Sequence, residues 1–484
     1  MNVRRVPGFF YHYKVLGGLI VSALLFVIYL LFHWGIMCTN LEAWRHVISV
    51  CGTHNDGTAM GILCEPLCTE RGIHSLACET LHTGKEAVFS AHWEATRLVF
   101  KAYRLISLIS MYIKRKVITK LVDYIFFLIL DIFFLPVLHD TGDYPCTNNE
   151  YKNTLVYRSR SNCRIESFLV SFFIITISRT KASSEQYESL FWVDAFGAKH
   201  FPSEEDFGTM IKDLVVNRLN YTVSTLQMQR LARLRTHKIE VDPKRRQLEM
   251  ENVWPLLQEN EYMIVILFED RDVFPQLIGT CGTFYAVEYV RPIETPTTAL
   301  ALSDSKPEWA KRLKLAVMIM DLLEELDTNF PEPFHLCDVK INHFGLPLGG
   351  QRLKFLDLDA VFPKSIISRI TADGKPCKRH EDCDFFDCRS LCSKNERCES
   401  PVVNNNLQVI CEKIFLGWTL SGTMILPGLL MSEHTTSSLA VLLRQCANPA
   451  SDTAHLPRAG VHESLKTRLY NTLSDMEQEV AASL

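Results

Sequence analysis

Residues 335–346 read H-L-C-D-V-K-I-N-H-F-G-L, and residues 352–362 read R-L-K-F-L-D-L-D-A-V-F. Asp338 stands in a short polar break after an amphipathic run, and Asp357 closes a strand-like apolar run from Leu353 to Leu356. The pattern presents two carboxylates at the tips of neighbouring segments. Acids at the ends of loops are common, so the pair gains meaning only from what the rest of the chain brings to it.

At 484 residues the chain is long enough for about two to three domains, and its apolar share supports a sizeable core. Its net charge of −4 is small, and no basic block is large enough to suggest nucleic acid; Lys244-Arg245-Arg246 reads as a solvated turn. The sixteen cysteines say more, because they cluster with uneven spacings in two blocks, which suits an oxidising compartment. Cys377, Cys383, Cys388, Cys392 and Cys398 contain no Cys-x-x-Cys pair and do not fit a zinc ribbon. The other block, Cys38, Cys51, Cys64, Cys68 and Cys78, lies in loop-like sequence with Gly52, Gly57, Gly61 and Gly72. Such a segment has too little apolar material to fold alone, so disulfides are expected to hold it against the domain that follows. Its odd count means that at least one member pairs elsewhere or stays reduced. Cys411 and Cys446 complete the disulfide candidates.

Arg4, Arg5 and Lys14 precede an uncharged apolar run from Val15 to Phe32, extendable to Met37, which is near the length that spans a bilayer. Basic residues before a span favour a cytoplasmic N-terminus, so the chain beyond Cys38 is expected in the lumen. The run is long for a signal peptide and lacks a small-x-small cleavage site, which favours an uncleaved signal anchor.

Residues 1–14 are then a cytoplasmic tail, 15–37 the anchor, 38–81 a cysteine-rich lumenal segment and 82–290 a first lobe. From His82 to Tyr103 the pattern is strand, turn, strand, ending Val-Phe-Lys at Lys101. The apolar block at about 105–180 interrupts that lobe. Asp123 and Asp131 lie inside its longest run, and an acid at the centre of a span costs about 2.5–3.5 kcal/mol. The block therefore reads as an insertion or a mis-assembled reading frame, with a membrane hairpin as the alternative. Ser203 is the expected N-cap of a helix with Phe207, Ile211, Leu214 and Val215 on one side, and Asn220-Tyr221-Thr222 is a glycosylation sequon at Asn220. Glu261 to Phe268 and Gln276 to Val290 read as buried segments, and Pro307 to Leu326 as a long helix. Residues 291–450 form a mainly helical, cysteine-bearing second lobe, and 451–484 a helical tail. The fold class is α+β, in two lobes.

Five stretches carry a resemblance: N-V-W-P-L-L-Q-E-N-E-Y (Asn252 to Tyr262), C-G-T-F-Y-A-V-E-Y (Cys281 to Tyr289), H-L-C-D-V-K (His335 to Lys340), D-C-D-F-F-D-C-R-S-L-C (Asp382 to Cys392) and V-N-N-N-L-Q-V-I-C-E-K-I-F (Val403 to Phe415). On these the chain resembles the divergent protein kinase domain 1 family, cysteine-rich type II membrane proteins of the endoplasmic reticulum. The resemblance implies a protein-kinase-like fold, and ATP with Mg²⁺ or Mn²⁺ as cofactors. Lys101 would reach the phosphates and pair with Glu204 or Glu205 on the helix after Ser203, and Glu288 would mark the hinge between lobes. Asp338 would orient the acceptor hydroxyl, and Asp357 would hold the metal.

Several positions depart from the kinase pattern. The phosphate-cradling loop has only Gly84. His343 stands where the second metal-binding Asn belongs, with Asn342 one residue away, and imidazole suits Mg²⁺ poorly. Leu336-Cys337 replaces the usual His-Arg pair, and Asp357-Leu358-Asp359 replaces Asp-Phe-Gly. No complete calcium-binding loop is present. The implied function is phosphoryl transfer to hydroxyls of lumenal proteins or glycans; the alternative is a pseudokinase that binds a lumenal partner.

Overall fold

A computed structural model of the chain describes residues 40–69, 72–78, 88–102, 190, 192–193, 199–234, 242–293, 305–350, 352–420, 423–449 and 459–484. The anchor run, Cys38, Gly84 and the apolar block at about 105–180 lie outside those residues. Among the described residues no helix is long and apolar enough to cross a membrane. The chain divides around Leu105–Ser189, and everything described here belongs to the other unit.

That unit begins with α1 (Asn40–Asn55) and α2 (Cys64–Cys68), then β1 (Ile73–Cys78), β2 (Val88–Trp93) and β3 (Thr96–Ala102). Two short strands, β4 (Trp192–Val193) and β5 (Lys199–His200), precede α3 (Glu204–Leu219), α4 (Thr225–Leu231), α5 (Pro243–Leu257) and α6 (Asn260–Leu267). The strands β6 (Leu277–Cys281) and β7 (Phe284–Glu288) complete an antiparallel five-stranded sheet in the order β1-β2-β3-β7-β6. Phe100 pairs with Phe89 and Ala286, and Lys101 with Val88 and Tyr285. Successive side chains of a strand point to opposite faces, so this register sends the two halves of the sheet's chemistry in opposite directions.

One face carries Phe89, Ala91, Leu98, Phe100, Phe284 and Ala286, all buried against Ala43, Val47 and Leu63 of the cysteine-rich segment. Each fully buried Phe there contributes roughly 1.5–3 kcal/mol of apolar burial. Cys51–Cys68 staples α1 to α2, and Cys64–Cys281 staples α2 to the end of β6, which is how the odd block finds its partner. Leu63 N donates to Thr280 O at 3.1 Å and Gly282 N to Met60 O at 2.9 Å, while the Asn252 amide bridges Met60 N and Thr58 O. Gly61 makes this approach possible: its φ is +144°, and a Cβ there would lie 2.0 Å from Thr280 O.

The other face of the sheet points Lys101 toward α6, the element sequence reasoning left as a buried segment of unassigned type. Every residue of Asn260–Leu267 is buried, so no polar stripe betrays the helical period. α3 forms as expected, with a capping box between Ser203 and Asp206 and Phe207, Ile211, Val215 and Leu219 turned inward. The basic run at 244–246 is not a solvated turn. It lies in the first turns of α5, and Arg246 is buried between Glu204 and Glu249.

The second lobe follows β8 (Arg291–Pro292) and is built on α7 (Lys306–Thr328), which buries Trp309, Leu313, Ala316, Met320 and Leu323. Short strands β9 (Phe334–Leu336), β10 (Phe344–Leu346), β11 (Lys354–Phe355) and β12 (Val361–Pro363) set out the two carboxylate loops. Then come α8 (Lys364–Thr371), α9 (Asn406–Ile410), the hairpin β13 (Gly417–Leu420) and β14 (Thr423–Pro427), α10 (Ser437–Ala447) and α11 (Glu463–Ala482). The tail helix α11 packs on α7 through buried Leu469 and Leu473, and Lys466 pairs with Glu324 at 2.6 Å. Cys377–Cys392, Cys383–Cys398, Cys337–Cys388 and Cys411–Cys446 brace this lobe. The sulfurs of Cys377, Cys383 and Cys392 gather within 4.8 Å of one another, but all are consumed in disulfides and offer no thiolate to zinc. Cys78 is disulfide-bonded as well. Cys281 and Cys337 were absent from the expected disulfide set because each sits in an apolar run away from the two clusters.

His335 on β9 is buried, and burial together with nearby Lys364 holds its imidazole pKa down to about 4. The unfolded chain takes up this proton near pH 6.5 while the folded chain refuses it until about pH 4. The associated stability is complete above about pH 6.5 and declines as pH falls toward 4. Urea unfolding across that window should show His335→Gln flattening the slope by up to about 1.4 kcal/mol per pH unit; an unchanged slope would mean another group sets it.

Candidate active site

Lys101 Nζ donates to Glu261 in the first turn of α6, and to the carbonyl of Leu356 at 3.0 Å. The lysine side chain is 9% exposed and the glutamate 0%. An ion pair this dry holds its geometry, because either charge alone in that position is costly. Glu261, rather than Glu204 or Glu205, is therefore the acid that meets Lys101. Glu204 is bound by the Arg246 guanidinium, whose hydrogen bond holds the carboxyl below the usual range, and Glu205 is exposed on the same turn of α3.

The Leu356 carbonyl places Asp357 beside this pair. Carboxylate oxygens of Glu261, Asp357 and Asp359 lie within 4.8 Å of one another, and so do ligand atoms of Asp338, His343 and Asp357. Asp357 belongs to both groups. His343 Nε2 stands 3.4 Å from Asp357 Oδ2, and His343 Nδ1 lies 2.9 Å from the carbonyl oxygen of Asp338. Asn342 is exposed, and His343 is the residue turned inward. Lys340 Nζ lies 3.0 Å from Asp338 Oδ2.

Both loops are fastened from behind. Asn260 Nδ2 donates to the carbonyls of Leu358 and Val361 at 2.9 Å each, which locks α6 to the Asp357 loop. Val339 N donates to Asp387 Oδ2 at 2.8 Å, Asp387 N donates to Cys337 O at 2.7 Å, and Lys413 Nζ reaches both Asp387 oxygens at 2.7 Å. With the Cys337–Cys388 bond, this clamp occupies the place where the sequence lacks the His-Arg pair. None of Asn260, Glu261, Asp387 or Lys413 was singled out from sequence. Glu261 carried one signal, as the single charged residue in the buried run Glu261 to Phe268.

Glu288 ends β7 where the chain crosses to the second lobe. Its carboxylate pairs with buried Lys354 and accepts from Gln276 N at 2.9 Å, so that side chain serves the junction. Lys354 also pairs with Asp272 at 2.8 Å. Asn220 caps α3 in the left-handed region and is exposed, with Nδ2 donating to Glu332 at 2.6 Å.

A lysine on the third strand paired with a glutamate of a later helix, above a loop acid that can hold a metal, defines a protein-kinase-like domain. Comparison with known proteins agrees. Residues 253–449 match a family model described as the protein-kinase domain of FAM69, and residues 5–115 match the N-terminal cysteine-rich ER model of the same family. A human relative named divergent protein kinase domain 2A is 29% identical over 189 residues, covering 36% of this chain and 41% of that protein. The aligned stretch thus spans about two fifths of the relative's length. The chain belongs to the FAM69 family and carries its divergent protein-kinase-like domain. The disulfides of both blocks point to an oxidising compartment, in keeping with that cysteine-rich ER model.

Proposed function

We propose that this protein is a phosphotransferase of the secretory pathway, a single-pass type II membrane protein held in the endoplasmic reticulum membrane by residues 15–37, transferring the γ-phosphoryl group of ATP to hydroxyls on lumenal proteins or glycans. The observation that carries this is the meeting of Lys101, Glu261 and Asp357 through the Leu356 carbonyl, with Asp338 joined to the same cluster by His343. Lys101 neutralises charge on the nucleotide phosphates, and Glu261 keeps its amine aimed. Asp338 orients the acceptor hydroxyl and takes its proton as oxygen bonds to the γ-phosphorus, while the bond to the bridging oxygen breaks and ADP leaves with that electron pair. A divalent ion held at Asp357 supplies further neutralisation of the phosphates. The exposed sequon at Asn220 fits a lumenal domain.

Thermal melting of the full chain with ATP and Mg²⁺ or Mn²⁺ tests the nucleotide half of this reading. A rise in Tm is expected and should vanish in Asp357→Ala; no rise with any metal and nucleotide would overturn it. Asp338→Ala should keep the rise but lower phosphoryl transfer about 10²–10⁴-fold. His343 in place of the usual Asn favours a second reading, a nucleotide-binding pseudokinase with a lumenal partner. A melting shift without transfer to any protein or glycan acceptor would select it.

A further inference from the structure

We propose that His343 is a direct metal ligand through Nε2, together with Asp357, and that this nitrogen makes the site select Mn²⁺ over Mg²⁺. The inference rests on the reading of Asp357 as the metal-holding acid, and names the ion.

The argument begins with the ring's tautomer. His343 Nδ1 is 2.9 Å from the backbone carbonyl of Asp338, and a carbonyl oxygen only accepts, so Nδ1 carries the hydrogen. That leaves Nε2 as the ring nitrogen that faces Asp357 Oδ2, 3.4 Å away. A cation between this nitrogen and the carboxylate would be held by both. The spacing suits one: two ligands at about 2.1 Å from an ion and at right angles to each other are about 3 Å apart. A metal-binding histidine commonly gives its second ring N–H to a backbone carbonyl, which fixes both tautomer and direction, and that is the arrangement found. The ring is also held edge-on to Phe355 with centroids 6.0 Å apart, and His343 is 8% exposed, so it has little room to swing away.

Donor chemistry then sorts the ions. Mg²⁺ demands oxygen ligands in a near-ideal octahedron and gains little from imidazole. Mn²⁺ keeps the six-coordinate oxygen chemistry that phosphates require, and a nitrogen donor raises the affinity of a first-row ion relative to Mg²⁺. An amide at this position would present oxygen to either ion; the imidazole breaks that parity.

The test uses the full chain and metal alone, without nucleotide. Pulsed EPR of bound Mn²⁺ should show coupling to an imidazole ¹⁴N, and displacement of Mn²⁺ by Mg²⁺ should require a large excess. His343→Asn should abolish the nitrogen coupling and shrink the Mn²⁺ preference about 10-fold or more. Absence of bound Mn²⁺, or bound Mn²⁺ without nitrogen coupling in the native chain, overturns the proposal, and that spectrum decides the matter even if the variant does not fold. Coupling retained in His343→Asn overturns it too. Nitrogen coupling in a chain that transfers no phosphate leaves this site standing and removes the phosphotransferase; efficient transfer with Mg²⁺ and no nitrogen coupling does the reverse.

Discussion

Glu261→Ala should destabilise the folded chain by about 3–5 kcal/mol, because it strands the Lys101 ammonium in a site where its side chain is only 9% exposed. Lys101→Met should cost a similar amount by stranding the fully buried carboxylate. The double replacement Lys101→Met with Glu261→Met should recover most of either loss, since apolar side chains of similar volume need no counter-charge. Denaturant titration of the four proteins reads the cycle directly. A single-variant loss below about 1 kcal/mol would show that water reaches the pair as it does at a surface. The cycle also bears on chemistry: in the double variant the fold survives, and the amine that addresses phosphates does not.

The second large effect is expected at Cys64–Cys281, which joins positions 217 residues apart. A cross-link restrains the unfolded chain more as the loop it closes grows, so changing both residues to alanine should cost roughly 2–5 kcal/mol. The Cys51–Cys68 bond spans 17 residues and should cost less when removed in the same way. Melting of the two double-alanine proteins under non-reducing conditions compares them. An equal or inverted order would mean that native packing, rather than loop length, sets the contribution.

Much of the site was legible because the residues that carry it end recognisable runs. Lys101 closes an alternating strand, and Asp338 and Asp357 stand at polar breaks after apolar ones, so local pattern alone fixes where their side chains emerge. Glu261 was hidden for the opposite reason. A helix buried on every side has no amphipathic stripe, and a short apolar run is as good a strand as a helix until something packs around it. The search for a partner to Lys101 therefore fell on α3, whose periodicity is clear, and whose acid turns out to serve Arg246. Arg246 itself shows that a basic triplet says nothing of burial when one counter-charge, Glu249, lies one turn on along the same helix and the other, Glu204, comes from α3. Disulfides followed the same rule. Clustered cysteines could be grouped by eye, whereas Cys281 and Cys337 looked like core residues until the fold delivered Cys64 and Cys388 to them.

The close seat of Gly61 on Thr280 has a bearing on where this protein can be cut. A shortened version starting at β2 would leave a wall of Phe89, Phe100 and Phe284 open to water and Cys281 without its mate. The stretch from Ala43 to Leu67 acts as a lid soldered onto the sheet, so the smallest portion able to stand alone in solution includes it.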